Sequence, residues 1–417
     1  MCKRDSSPRI LTNAPTGLRR RFGHNALEMM AEAKIVIASP PPPASLRGMK
    51  IGIPTEIKAQ ENRVSMVPGT VAELVKRGHQ VIVQRGAGEG ASYGDDHYQA
   101  HGAEMVADAA SVFAAAELII KVKEPQPSEL AMLQPHHILF TYLHLAADQA
   151  LTERLLATGC TAIAYETIEV QRRLPLLEPM SEIAGRMSAI VGSYHLAKHR
   201  GGRGCLLGGV PGVAPGRVVV LGGGTAGLNA ARVATGIGAD VTILEVDFER
   251  MRFLDITMSG TSTVYSNEAN LSELLPRADL VIGAVLVHGA RAPKLITREM
   301  LRMMPKGSVF VDIAVDQGGC AETTRATTHD NPTYAEEGVL HYCVANMPGA
   351  YSRTATQALN NVTHPWSLLI AERGVAGACL VRPELLSGIN TRAGKLTCRP
   401  VAEAHGLPFT DPASVLG

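Results

Sequence analysis

The stretch "VVVLGGGTAGLNAARVATGIGADVTILEVD", residues 218 to 247, constrains the fold more than any other part of the chain. A β-branched run, Val218 to Leu221, ends on Gly222-x-Gly224-x-x-Gly227. A helical pattern follows at once (Leu228, Ala231, Val233, Ala234), and "DVTILE" then closes a second apolar run on Glu245. Three glycines among the 41 in the chain would mean little alone. Set between a strand and a helix, each has a task in dinucleotide binding. Gly222 permits a tight turn, Gly224 lets backbone approach a pyrophosphate, and Gly227 lets helix and strand pack closely. The helix N-terminus that follows would offer free N–H groups and a favourable dipole to the phosphates. Glu245 is placed to accept hydrogen bonds from ribose hydroxyls and to repel a 2′-phosphate, which favours NAD over NADP. Arg250 and Arg252 follow closely enough to keep NADP open. The bland alternative is a packed α/β crossover with spare glycines.

A chain of 417 residues exceeds one ordinary core, so two domains are expected. Lysine and arginine (40) nearly balance aspartate and glutamate (39), which removes any global charge argument for a nucleic-acid or anionic-membrane partner. No run approaches the length of a membrane-spanning helix. Seven cysteines, Cys2, Cys160, Cys205, Cys320, Cys343, Cys379 and Cys398, are odd in number and form no C-x-x-C pair. That pattern fits reduced thiols in the cytoplasm, with no metal site expected.

Residues 1–48 read differently, with Arg19-Arg20-Arg21, a proline run from Pro40 to Pro43, and no sustained apolar period. They are expected to be a disordered or artefactual leader, with the functional protein starting at Met49. From there strand-like runs ("KIGIP", "QVIVQ", "AELIIKVKEP", "HHILFTYLHL", "TAIAYE") alternate with helical ones, among them "MVPGTVAELVKRG", "DDHYQAHGAEM" and "ADQALTERLLATG". The alternation predicts a parallel sheet covered by helices. A long helix is predicted over Ser181 to Lys198. After the glycine unit the pattern resumes with "DLVIGAVLV", "SVFVDIAVD" and "LHYCVANMP", and a last helical region starts near Thr354. The fold class is therefore α/β, with two Rossmann-like parallel-sheet domains and a cleft between them. No internal repeat is visible.

Four polar residues fall at or just after the carboxyl ends of predicted strands, where α/β sheets bind ligands. They are Arg63 in "ENRVSMVP", Lys123 in "IIKVKEP", His144 in "FTYLHLA" and Asp316 in "VDIAVDQGG". Singly, each has an ordinary reading: a solvated loop cation, an edge-strand charge beside Lys121, a hydrogen-bonded core histidine, a turn cap. Together they are chemically coherent. Two cations suit a carboxylate, an imidazole titrates near neutral pH, and an acid stands nearby. Beside a nicotinamide, such a set suits oxidation of a small carboxylate-bearing alcohol or amine.

The segments "GIPTEIKAQENRVSMVPGTVAELVKRGHQV", "LIIKVKEP", "LFTYLHLA", "LPLLEPMSEIAGRMSA", "VVVLGGGTAGLNAARVATGIGADVT", "VDIAVDQGGC" and "YCVANMPGA" resemble the alanine dehydrogenase family. The resemblance runs from Met49 to Gly417, in the family's order and spacing. It implies an oxidoreductase with a substrate domain of residues 49–176 plus 353–417, and an NAD-binding domain of residues 177–352. It implies reversible oxidative deamination of L-alanine to pyruvate and ammonia, with NAD as cofactor, in a cytoplasmic homo-oligomer, commonly a hexamer. Residue by residue, Arg63 and Lys123 would bind substrate carboxylate and carbonyl, with the Arg63 guanidinium suited to a two-point grip. His144 would be the general acid/base, and Asp316 would either orient water or stabilise protonated His144. Ser181, Gly222, Gly224, Thr225, Ala226, Gly227, Glu245, Val344, Asn346 and Met347 would line the cofactor site. Departures from the family pattern fall at Ser65, Val67, Tyr142, His288 and the stretch 253–267. The rival reading is the NAD-binding domain of a proton-translocating transhydrogenase. His144 and its "LHLA" setting argue against that rival, since hydride exchange between dinucleotides needs no acid/base. A non-catalytic NAD-binding regulator is a third reading.

Overall fold

The structure is a computed structural model that describes residues 48–285 and 292–416. The expected leader up to residue 47, and His288, lie outside the described residues. Among the described residues, fifteen short strands build two sheets. The first uses β1 (Lys50–Ile53), β2 (Gln80–Gln84), β3 (Glu104–Val106), β4 (Leu118–Ile120), β5 (Ile138–Thr141) and β6 (Thr161–Ala164). The second uses β7 (Arg217–Leu221), β8 (Asp240–Glu245), β9 (Thr261–Tyr265), β10 (Leu280–Gly283), β11 (Val309–Asp312), β12 (Thr333–Glu336) and β13 (Val339–Tyr342). A C-terminal hairpin, β14 (Ile389–Arg392) and β15 (Lys395–Leu396), joins the first sheet.

The strand orders are β15-β14-β6-β5-β4-β1-β2-β3 and β12-β13-β11-β10-β7-β8-β9. Setting aside the antiparallel edges β12, β14 and β15, both sheets are parallel and follow one pattern: the third, second and first strands, then the fourth, fifth and sixth. The order reverses between β1 and β4 in one sheet and between β7 and β10 in the other. At such a reversal, connections leave on opposite faces and open a crevice beyond the strands' carboxyl ends. Each sheet therefore has one crevice of this kind.

Burial follows from the composition of the strands. β4, β6, β10 and β11 are buried at every position, as expected of strands covered on both faces. The interrupted helix Ser352–Val381 returns to the first sheet. Leu359, Trp366 and Ile370 share a core with Ile51, Val81 and Phe140, while Thr356 and Asn360 accept the backbone N–H groups of Val64 and Val67. Gly374, at φ 64°, breaks that helix. Elsewhere the predicted "DDHYQAHGAEM" helix stops at Ala100, because Gly102 turns at φ 89° and Glu104–Val106 pairs with β2. The long helix runs Glu178–His195, with Pro179 in its first turn, and so starts earlier than Ser181.

Candidate active site

Because β1, β4, β5 and β6 run parallel, the segments that leave them meet along one edge of the first sheet. Glu56, Lys58, Glu61 and Arg63 follow β1. Lys121, Lys123 and Glu124 follow β4, Tyr142 and His144 follow β5, and Glu166 follows β6. β4 is an interior strand, so Lys121 and Lys123 are not edge charges.

Glu56 organises the β1/β4 crevice. One carboxylate oxygen accepts the Val122 N–H at 2.6 Å, and the other meets the Lys123 N–H at 3.4 Å and Lys121 Nζ at 3.1 Å. Lys121 Nζ also donates to Glu129 at 2.6 Å, and all three side chains are buried. Burial pushes the Glu56 carboxyl up against the pull of Lys121, while the two acids hold Lys121 charged in spite of its burial. Removing one partner of such a buried pair costs on the order of 3–5 kcal/mol, so this network locks the backbone that carries Lys123.

Arg63 is only 3 % exposed and already spoken for on one side. Its Nε donates to Glu61 at 2.6 Å and its Nη2 to the same carboxylate at 2.5 Å. Nη2 also donates to Asn346 Oδ1 at 2.7 Å, whereas among the described residues Nη1 meets only the Met180 sulfur at 3.0 Å. Burial disfavours the Glu61 charge, but Arg63 overrides it and holds the carboxyl at about 2. The expected two-point grip on a substrate carboxylate therefore does not fit this arrangement. The fork belongs to Glu61, and the Nη1 side, facing a weak acceptor, is the donor left for a ligand.

Lys123 Nζ stands 3.3 Å from His144 Nε2. His144 adopts φ 52°, a left-handed conformation disfavoured for a side chain of this size. Glu166 braces it there by accepting the N–H groups of Leu143 at 3.0 Å and of His144 at 2.6 Å. The imidazole lies nearly parallel to the Tyr142 ring, 5.8 Å between centroids, and the Tyr142 hydroxyl is anchored on Leu176 O. Burial, then Lys123, Lys58 and Arg63, push the His144 pKa well below that of a free imidazole, so the ring is neutral at physiological pH. Burial also lowers Lys123, opposed by Glu124 and Asp316. Asp316 is the exposed residue of the otherwise buried or half-buried turn Ile313–Gln317 after β11, within electrostatic reach of Lys123. Asp312 supports that segment by accepting from Ala314 N, Cys320 N and Thr324 Oγ1.

The second crevice is lined by backbone. Gly222 turns at φ 90°, and a Cβ on Gly227 would lie 1.8 Å from Gly222 O, so this helix can approach its strand only at glycine. A Cβ on Gly224 would meet nothing within 4 Å, which marks the open side of the turn. No side chain caps the helix Thr225–Gly236, leaving its first N–H groups for an anion. Glu245 accepts from Gly223 N at 2.8 Å and from Val246 N at 2.7 Å, and Arg250 Nε donates to Gly223 O at 2.6 Å. An open glycine turn, an uncapped helix and an adjacent acid fit a dinucleotide.

Direct contacts join the two crevices. Asn346, at φ 66° after β13, bonds both Arg63 and Glu61. Val344 and Met347 are buried on either side of it. Ser181 lies in the helix Glu178–His195 next to Met180, and in the same helix a Cβ on Gly185 would lie 2.1 Å from Ala226 O. Sequence reasoning missed Glu56, Lys58, Glu61, Glu124, Glu166 and Asp312. The signal for the first three was a cluster of charges, "TEIKAQENR", directly after an apolar strand.

Two sheets of Rossmann order, one with a phosphate-type glycine turn and the other with an Arg–Lys–His cluster, define a two-lobed dinucleotide-binding enzyme architecture. Two family descriptions match: "Alanine dehydrogenase/PNT, N-terminal domain" over residues 52–184 and "Alanine dehydrogenase/PNT, C-terminal domain" over residues 188–399. The chain belongs to the alanine dehydrogenase/PNT family. It is 54 % identical to an alanine dehydrogenase of Halomonas elongata, over 88 % of this chain and 100 % of that protein. It is 53 % identical to one of Mycolicibacterium smegmatis, with the same coverage. A solved L-alanine dehydrogenase superposes with a TM-score of 0.82 at 48 % identity, covering 86 % of this chain and 99 % of that one. A transhydrogenase from Sinorhizobium meliloti shares the fold at 24 % identity and a TM-score of 0.71, covering 84 % of this chain and 99 % of that one.

Proposed function

We propose that this chain is an oxidoreductase that carries out the reversible NAD-dependent oxidative deamination of L-alanine to pyruvate and ammonia. The observation that carries the reading is the Lys123–His144 contact at one crevice, coupled through Arg63 and Asn346 to the lobe with the glycine turn. The domains would be residues 49–176 plus 353–417 for substrate and 177–352 for NAD. NAD, when bound, supplies the hydride acceptor. Thr225, Ala226 and the glycines would hold its phosphates, Glu245 its ribose, and Ser181, Val344, Asn346 and Met347 would line the same site. The engagement of Arg250 with Gly223 O supports NAD over NADP, since that edge of the guanidinium is already used.

The residues of the first crevice do the rest. Arg63 Nη1 and Lys123 hold the substrate carboxylate and carbonyl end, which fixes Cα and supplies the proximity that hydride transfer requires. Neutral His144 accepts the proton of the water that adds to the imine. It returns a proton as the carbinolamine collapses to pyruvate and ammonia, a role worth roughly 10²–10⁴-fold. Lys123 stabilises negative charge developing on oxygen. Asp316, across the cleft, is exposed and free to orient that water. A cytoplasmic homo-oligomer, a hexamer by family likeness, completes the reading. Among the described residues no helix is long and apolar enough to cross a membrane.

The experiment is an absorbance assay at the reduced-nicotinamide band with L-alanine and NAD, repeated with NADP and with other amino acids. L-Alanine with NAD should give the highest kcat/KM. Absence of alanine-dependent NADH formation would overturn the reading.

A further inference from the structure

Lys123 and His144 stand as two basic nitrogens 3.3 Å apart in a largely buried site, and they cannot both be charged without heavy cost. The charged groups around them fall into two sets. Lys58 and Arg63 reach them from the segment after β1, and both disfavour a proton there. On the acidic side are Glu124, Asp316, Glu56 and Glu166. Glu56 is committed to Lys121 and backbone N–H groups, and Glu166 to the N–H groups of Leu143 and His144. Asp316 is exposed to solvent, which screens it.

Glu124 differs from these. Its Oε2 is buried, has no hydrogen-bond partner among the described residues, and lies 3.9 Å from Lys123 Nζ. Its other oxygen is held by the Lys58 ammonium, whose side chain is 37 % exposed. A buried carboxylate oxygen without a donor is unfavourable unless a charge beside it compensates. The buried cation on that side is Lys123.

We propose that Glu124, held by Lys58, is the counter-ion that keeps one proton on the Lys123–His144 pair, and thus acts as a positioning residue for the acid/base step. Lys58 has the opposite effect. It draws on the same carboxylate and adds a positive charge, so the pair's proton affinity reflects how Glu124 is divided between two lysines. This rests on the proposed deamination of L-alanine, and it adds two residues to which no role is given above.

The test uses the full chain with NADH and oxamate, a non-reacting analogue of pyruvate, read by NADH fluorescence across a pH series. Oxamate affinity should fall as pH rises through the pair's pKa. Glu124→Gln should move that midpoint down by about one pH unit, the lower end of the shift expected for losing an opposite charge at this distance. Lys58→Met should move it up, by a smaller amount. Opposite displacements are the signature, since a merely structural defect would not move the midpoint in two directions. Midpoints that stay put, or that move the same way, would overturn the inference. Lys58 is partly exposed, so its variant gives a reading even if Glu124→Gln does not fold, and an unmoved or lowered midpoint there is enough to refute. A wild-type chain without alanine turnover would sink the functional reading instead, which separates the two failures.

Discussion

The two sheets share a strand order and differ in what they put at the point where that order reverses. At β1/β4 the chain sets charged side chains into the crevice: Glu56 beneath Lys121 and Lys123, and Glu61 around Arg63. At β7/β10 the turn itself carries no side chain at its glycines, with Gly222 backed against Ala284 O and Gly224 facing open space. One crevice carries its chemistry in fixed side chains, while the other offers backbone N–H groups and room. The same topology thus yields a charged pocket in one lobe and a backbone cradle in the other.

Substitutions should separate the two crevices. The largest effect is expected from His144→Ala, which should cut turnover by about 10²–10⁴-fold while leaving NADH affinity nearly unchanged. Fluorescence titration and steady-state rates on one preparation would show it. In the opposite crevice Gly227→Val should lower stability by several kcal/mol, because its Cβ would meet Gly222 O. Gly224→Val should keep the melting temperature and lose dinucleotide binding, since its Cβ would meet no protein atom within 4 Å and would project into the cradle. Equal melting losses in both variants would show that the turn is only a packing device.

Arg63→Ala should cost on the order of 3–5 kcal/mol by leaving Glu61 buried and unpaired. It should also raise the KM for pyruvate, and denaturant curves together with kinetics separate the two effects. The same pair sets an acid limit. The folded-state pKa of Glu61, about 2, lies below that of a free carboxyl. Its contribution, on the order of 3 kcal/mol, is therefore complete above the unfolded carboxyl pKa and is lost as pH falls toward 2. Acid unfolding followed in Glu61→Gln should lack that component. The smallest change is expected from Glu245→Gln, which should ease the bar to NADP by about tenfold, within the range of a single half-buried charge near a helix terminus. An unchanged NAD/NADP ratio would confine Glu245 to bracing Gly223 and Val246.

Much of this was legible in the sequence because it lay in local patterns. The glycine turn, its flanking strands and the acid at the end of β8 are contiguous, so periodicity found them. Arg63, Lys123 and His144 stood out as polar residues after apolar runs, and the parallel topology brings their segments to one edge. What stayed hidden was pairing between distant segments. Nothing in "QENR" says that Glu61 closes on Arg63 and consumes its fork, or that Asn346, far along the chain, completes the grip. The brace of Glu166 on His144 depends on β5 lying beside β6, which no spacing reveals. The shared strand order of the two sheets was equally invisible, because topology can recur without any repeat in sequence.

The reaction joins the crevices only if a hydrogen passes directly from the substrate carbon held in one to the ring held in the other. L-Alanine deuterated at Cα, incubated with NAD and this chain, tests that passage. Mass spectrometry of the NADH formed should show one deuterium per molecule, retained in the dihydronicotinamide ring. Unlabelled NADH, with deuterium released to water, would mean that the Cα hydrogen leaves as a proton and that the two crevices do not act on it together.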